Sequence, residues 1–134
     1  MTVRATGAFD VKMTSQPPDE RVGDPKIGRM GLDKHYHGAL EASGRGQMLA
    51  VMDQAKGSGG YVALEIVDGT LGGRKGTFAL QHGGLMDGGQ PSLTIVVVPG
   101  SGTGELEGIA GRVGIRIEGG KHFYDFDYTL PGVP

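Results

Sequence analysis

Cysteine is absent from the chain, and so is tryptophan. The first absence excludes a disulfide scaffold, a thiolate metal site and a cysteine nucleophile, and it fits a reducing, cytoplasmic setting. Neither sign of charge dominates: 13 Lys and Arg stand against 15 Asp and Glu, a net charge of −2. With no basic cluster to neutralise phosphates, a nucleic-acid partner is not expected. Long apolar runs are also missing. The longest, Ile95-Val96-Val97-Val98, is strand-sized, far short of the roughly 18 residues that suggest a membrane helix, so no membrane partner is expected. The opening residues, Met1 to Gly7, have no apolar run behind Arg4, which predicts no signal peptide. Helical periodicity is scarce: the segment Ala8–Val22 contains Pro17-Pro18 and no heptad-like spacing.

Glycine is what the chain has in excess, 27 of 134 residues. It follows no three-residue period, which excludes collagen. It is interleaved with Val, Ile, Leu and Phe, which argues against simple disorder. Strand signals are frequent, at about Arg4–Met13, Met30–Ser43, Gln47–Lys56, Gly60–Leu71, Lys75–Met86, Ser92–Val98, Arg112–Glu118 and Lys121–Leu130. The longer ones are expected to bend at Gly38, Gly44 or Gly46, since glycine inside a strand marks a bulge, a bend or a close backbone approach. Turn signals fall at Gly73-Arg74, Asp87-Gly88-Gly89, Pro99-Gly100-Ser101-Gly102 and Gly119-Gly120, and segment 14–29, with three prolines, reads as a loop. The even spacing predicts an all-β fold: one domain over residues 1–134, an antiparallel meander of about eight strands. Closing it into a small barrel would remove the exposed edges, and glycines within strands suit that curvature. A flattened sandwich is the rival arrangement.

Two hairpins can be put in register. With Gly119-Gly120 as a two-residue loop, Glu118 faces Lys121 and Arg112 faces Asp127 on one side. Ile117 faces His122, Ile115 faces Tyr124 and Val113 faces Phe126 on the other. Charges meet charges and apolar groups meet apolar groups, as a half-buried hairpin requires. His122, Tyr124, Phe126 and Tyr128 are therefore expected inside. With Gly73-Arg74 as the loop of the preceding hairpin, Leu80 faces Val67 and His82 faces Glu65. Tyr61, Ala63, Glu65 and Val67 then share an inner face with Phe78, Leu80 and His82.

The segments Leu32-Asp33-Lys34-His35-Tyr36-His37-Gly38, Gly60-Tyr61-Val62-Ala63-Leu64-Glu65, Phe78-Ala79-Leu80-Gln81-His82 and Ser101-Gly102-Thr103-Gly104-Glu105-Leu106 occur in this order. The chain then closes on Gly120-Lys121-His122-Phe123-Tyr124-Asp125-Phe126-Asp127-Tyr128-Thr129-Leu130. Over about residues 2 to 131 this resembles the small bacterial family known as domain of unknown function 3224. The resemblance implies a fold, an eight-stranded barrel similar to that of allene oxide cyclase, and no established activity. Related barrels include cyclases that shape a bound hydrophobic substrate, which is a fold-level analogy.

The inferred inner set supplies the candidate site. Glu65 and His82 are the candidates for catalysis, because a carboxylate beside an imidazole can act as general acid and base when its pKa is tuned near 7. Tyr61, His122, Tyr124 and Tyr128 are the candidates for holding a ligand. An eight-stranded barrel has room for one small molecule or for none, so the same residues also fit a satisfied buried pair in a filled interior. His35 and His37 lie two apart, on one strand face, and if Tyr36 points inward both point outward. With nothing to bring His82 or His122 to them, a metal site is not expected, nor is a cofactor. The loop Pro99–Gly104 lacks the Gly-Lys-Ser/Thr ending of a phosphate-binding loop and precedes no helix. No Gly-x-Ser-x-Gly elbow is present.

The outward residues Val62, Leu64, Ile66 and Leu85, with part of Leu93-Thr94-Ile95, form a larger apolar outer patch than a monomer usually shows. A homo-oligomer packed through this patch is therefore expected. Two functional readings follow. In the first, the barrel binds an unidentified small apolar or amphipathic molecule in its interior, either as a binder or as an isomerase- or cyclase-like enzyme. In the second, it is a structural or assembly protein with a filled barrel. Interior volume separates them.

Overall fold

The computed structural model describes residues 2–133. Eight strands follow one another: β1 (Val3–Gln16), β2 (Gly28–Tyr36), β3 (Leu40–Asp53), β4 (Ser58–Leu71), β5 (Arg74–Asp87), β6 (Gln90–Val97), β7 (Ala110–Glu118) and β8 (Lys121–Thr129). Each pairs antiparallel with the next, and β8 returns to β1. The meander is a closed barrel, so the barrel alternative holds and the sandwich does not. Helix is confined, among the described residues, to one 3-10 turn, Gly104–Leu106. No helix among them is long and apolar enough to cross a membrane.

Each ladder keeps one register from end to end, for example Gly28↔Ala50 through Tyr36↔Ala42 and Leu40↔Leu71 through Asp53↔Ser58. Side chains alternate across a strand, so an unbroken register gives one inner face around the whole barrel. Phe9, Tyr36, Leu40, Val67, Leu80, Ile95, Tyr124 and Phe126 are buried on it. Aromatic rings pack along that face: His122 to Phe9 at 5.3 Å, Phe9 to Tyr36 and Tyr36 to Tyr124 at 5.7 Å, and separately Phe78 to Phe126 at 5.6 Å.

Three of the sequence expectations about local layout need correction. The break between β2 and β3 falls at residues 37–39, where Gly38 takes φ +107°, while Gly44 and Gly46 lie inside β3. The β4–β5 turn is Gly72-Gly73, both with positive φ, so Glu65 pairs with Leu80 and Ala63 with His82. Two positive-φ residues suit a type I′ hairpin, and glycine reaches that conformation without strain where Arg74 would not. The slip is two residues, so every side chain keeps its expected face. The loop expected over 14–29 is shorter, residues 17–27, because β1 runs to Gln16 and β2 starts at Gly28; the outward part of Leu93-Thr94-Ile95 is Thr94. The β7–β8 register around Gly119-Gly120 is as expected, including Arg112↔Asp127, although the Asp127 carboxylate takes its ion pair from Arg4 across the β1 seam at 2.7 Å.

The two ends of the barrel differ. At one, Leu40, Leu71, Leu106, Ile109 and Leu130 are all buried. Here the loop after β6 stands in for a strand. The β5 amides of Lys75, Thr77 and Ala79 donate to the side chains of Glu105, Thr103 and Ser101. Backbone donors that β6 does not reach are thereby satisfied, and Leu106 is carried into the barrel as a stopper. At the other end the inward positions open to solvent: Met13 is 52 %, Met52 54 %, Leu93 42 % and Ile117 66 % exposed.

Candidate functional site

Glu65 is the most chemically unusual residue of the interior, a carboxylate only 1 % exposed. It sits inward on β4 between Ala63 and Val67. Two glycines on the neighbouring strand make its position possible. A Cβ at Gly44 would run into the Glu65 Oε2 atom and the Tyr36 ring, and Gly46 pairs directly with Glu65. Together they leave a bare inner strip on β3, across which side chains of β2 reach β4. Through that gap Lys34 Nζ donates to Glu65 Oε1 at 3.1 Å and the Tyr36 hydroxyl donates to Oε2 at 2.5 Å. From the other side, on β5, His82 Nε2 lies 2.7 Å from Oε1.

The carboxylate therefore has three polar partners and uses both oxygens. Burial pushes its pKa up. The His82 hydrogen bond, the Lys34 charge and the Tyr36 hydrogen bond outweigh that and hold it below the ordinary carboxylate range. The Tyr36 hydroxyl is raised by burial, then by the charge of Glu65 and the hydrogen bond to it, so it keeps its proton. Lys34 is itself buried, with its ammonium 5.4 Å from the Phe9 ring centroid and 5.8 Å from that of Tyr36, a cation–π setting. No buried side-chain N or O among the described residues lacks a partner.

The six residues nominated from sequence do not form one cluster. Glu65 and His82 meet. Tyr124 is buried but spends its hydroxyl on the β2–β3 turn, accepting from the Leu40 amide at 2.9 Å and donating to the His37 carbonyl at 2.9 Å. Tyr128 stacks on Phe126 at 5.3 Å, and His122 stacks on Phe9. Tyr61 is half-buried near the open end, its ring so close to Gly84 that a Cβ there would collide with it. Burial raises its pKa. Among the described residues none of these four hydrogen-bonds to Glu65 or His82. His35 and His37 are exposed, with His37 3.5 Å from Asp10 and 3.6 Å from Glu41.

Sequence reasoning missed Lys34 and Tyr36 as partners of Glu65. The signal was available, because Lys34 shares the parity of Tyr36 on β2. It was passed over because lysine is almost never fully buried.

Around this network the barrel is filled: the space bounded by Phe9, Lys34, Tyr36, Leu80, His82 and Tyr124 has a cavity volume of ≈ 0 Å³. Above it the inner face changes character. Apart from Met1, every methionine of the chain has inward parity at the open end: Met13 on β1, Met30 on β2, Met48 and Met52 on β3, and Met86 on β5. Met30 and Met48 are direct partners in the ladder. Thioether side chains are unbranched and polarisable, and they line apolar surfaces that adapt to what they contact.

The family model described as "Protein of unknown function (DUF3224)" matches residues 5–128. The crystal structure of a protein with unknown function from the DUF3224 family of Shewanella oneidensis MR-1 is 47 % identical, covers 99 % of this chain and 100 % of that one, and superposes with a TM-score of 0.90. No curated protein matches the chain.

Proposed function

The chain belongs to the DUF3224 family, and we propose that its barrel binds a small apolar or amphipathic molecule at the open, methionine-lined mouth. One observation carries this reading. The inner face is sealed and packed at one end, yet at the other it leaves Met13, Met52, Leu93 and Ile117 between 42 % and 66 % exposed above a buried polar network. A barrel that needed only a filled core has no reason to leave those side chains in water, where each exposed apolar group costs transfer free energy. Concave apolar surface with a few polar groups at its base is the usual form of a small-molecule site. Beneath that surface lies the buried Lys34–Glu65 pair, whose ammonium is directed at Glu65.

Binding without chemistry is favoured over an isomerase or cyclase role, the reading suggested by allene oxide cyclase-like barrels. Proton transfer would ask Glu65 to take up and release a proton near neutrality. Its pKa lies on the low side and both oxygens are engaged. The second reading, a filled structural barrel, draws its support from the ≈ 0 Å³ interior at the level of the network.

Titration with medium-chain fatty acids, followed by thermal shift and by displacement of an anionic naphthalene dye, separates the two. Saturable stabilisation that is abolished by Met48→Glu supports the mouth site. No stabilisation by any chain length, or stabilisation unchanged in Met30→Glu and Met48→Glu, overturns it in favour of the filled barrel.

A further inference from the structure

The outside of the barrel is two-faced. On β7, β8 and β1 the outward positions carry ion pairs, Arg4 to Asp127 at 2.7 Å and Arg116 to Asp125 at 2.7 Å. On the opposite side, the outward positions between Arg45 and Val51, Gly60 and Ile66, Ala79 and Leu85, and Ser92 and Val96 include one charged residue, Arg45. Leu49, Val62, Leu64, Ile66 and Leu85 stand on this face, between 47 % and 67 % exposed. Depletion of charge over a contiguous apolar surface is the compositional mark of a protein interface.

Gly83 adds a second, independent observation. Eight glycines of the chain would place a Cβ within 4 Å of nothing. Seven of these have positive φ, which gives each a backbone reason to be glycine. Gly83 is the exception: it lies in mid-β5, between Val62 and Thr94 in the ladder. Glycine weakens a strand, and its place there commonly marks the close approach of another molecule. Among the described residues no atom lies within 4 Å of a Cβ built at Gly83, which lines the groove beneath residues 18–27.

We propose that this face is the contact surface for a second copy of the same chain, with Gly83 under the closest approach. Two features select a copy over a small ligand or an unrelated protein. Four strands at about 4.8 Å spacing and some seven residues at about 3.4 Å give a face of roughly 450 Å² in projection, more than one small molecule covers. It is of the order that a stable dimer needs once side-chain relief and the flanking segment are added. That segment, residues 17–27, overhangs the same face, and Val22 and Ile27 line with Leu49, Val62 and Leu64 a groove of about 870 Å³. The charges at the margin are also self-complementary. Arg45 on β3 and Asp68 on β4 both point outward at one border of the face, opposite in sign, and neither forms an ion pair among the described residues. A two-fold copy, in which one patch meets itself, offers each a partner.

Light scattering and sedimentation velocity at micromolar concentration are expected to give about twice the 13.9 kDa chain mass. Leu64→Asp should weaken association about 30-fold or more, the effect of losing a buried interface anchor. Gly83→Val is the discriminating variant. Its Cβ meets nothing within 4 Å among the described residues, so the strand signature in circular dichroism should be kept while association weakens about tenfold or more. Arg45→Glu and Asp68→Arg should each weaken association, and the double exchange should restore it. A monomeric parent overturns the proposal, as does a dimer whose affinity Gly83→Val leaves unchanged. A monomer that binds an apolar dye through Leu64 assigns the groove to a small ligand instead. A double exchange as weak as the singles overturns the two-fold arrangement.

Discussion

Replacing Lys34 by methionine removes the positive member of the buried network and leaves the volume of the side chain nearly unchanged. The Glu65 carboxylate, fully buried, would keep His82 and Tyr36 and lose the charge that balances it. At 3.1 Å and an effective dielectric near 20, the attraction between the two charges is about 5 kcal/mol. Breaking one side of a buried ion pair is measured at about 3–5 kcal/mol, because the remaining charge has already lost its water. A domain of this size has a total stability of about 5–15 kcal/mol, so Lys34→Met should consume a large part of it. Its thermal midpoint should fall by roughly 10–20 °C. Urea unfolding followed by circular dichroism at pH 7 is the assay: the midpoint concentration falls while the slope stays the same. Adding Glu65→Gln to Lys34→Met removes the orphaned charge, leaves neutral acceptors and donors for His82 and Tyr36, and should recover at least half of the loss. A single-variant loss under about 1 kcal/mol, or a double variant weaker than the single, would refute the reasoning, since either means that Glu65 does not depend on Lys34 for its charge.

The pH dependence follows from the same network. Glu65 is lowered in the folded state from an ordinary value of 4.5. Its contribution is therefore fully present above that value and is lost as pH falls through the folded pKa. Glu65→Gln should accordingly flatten the acid limb of a stability–pH curve, and an acid limb as steep as the parent's would contradict the assignment. Gly44→Ala places a Cβ against the Glu65 carboxylate and the Tyr36 ring. It should cost about 1–3 kcal/mol by overpacking in chemical denaturation, and a neutral result would show that the bare strip on β3 is not required. Tyr124→Phe leaves the buried Leu40 amide without its acceptor, for about 1–3 kcal/mol. Faster exchange of the Leu40 amide hydrogen is the local readout, and unchanged exchange would show that the hydroxyl does not hold the β2–β3 turn.

The barrel was legible in the sequence because alternation is a local signal. In β7 and β8 charged and apolar residues alternate apart from Gly114 and Phe123, so the turn at Gly119-Gly120 has only one register that satisfies both faces. In β4 and β5 the outward positions Val62, Leu64 and Ile66 are as apolar as the inward ones. The pattern there fixed the face and left the register to the turn, where the run Gly72-Gly73-Arg74 offers two two-residue loops. The Glu65–His82 contact was reachable despite the slip, since diagonal neighbours on one face also meet. Lys34 and Tyr36 were not, because they belong to β2 and touch β4 across a whole intervening strand. Only the absence of side chains at Gly44 and Gly46 allows it, and in the sequence those glycines look like the place where a strand ends.

That same substitution of emptiness for side chains explains the division of the molecule. Inward glycines on β3 lower the wall between β2 and β4 and let a charged network form inside. Relative to an apolar core of equal volume, such a network is seldom stabilising, so its presence calls for a role other than holding strands together. Its position supplies one. Beneath it Leu80, Val67 and Phe78 are buried, and above it Met13 and Met52 open to solvent. In the mouth site proposed above, a charged, hydrogen-bonded layer at that height would serve as a floor that an apolar layer could not keep in place. The outward Gly83 on β5 leaves the other surface flat at mid-strand, which is where the dimer proposed above would bring a copy closest. The glycine content thus divides between turns, which any meander requires, and strand positions, among them Gly44 and Gly84, where a side chain of a neighbouring strand takes the space that a Cβ would fill.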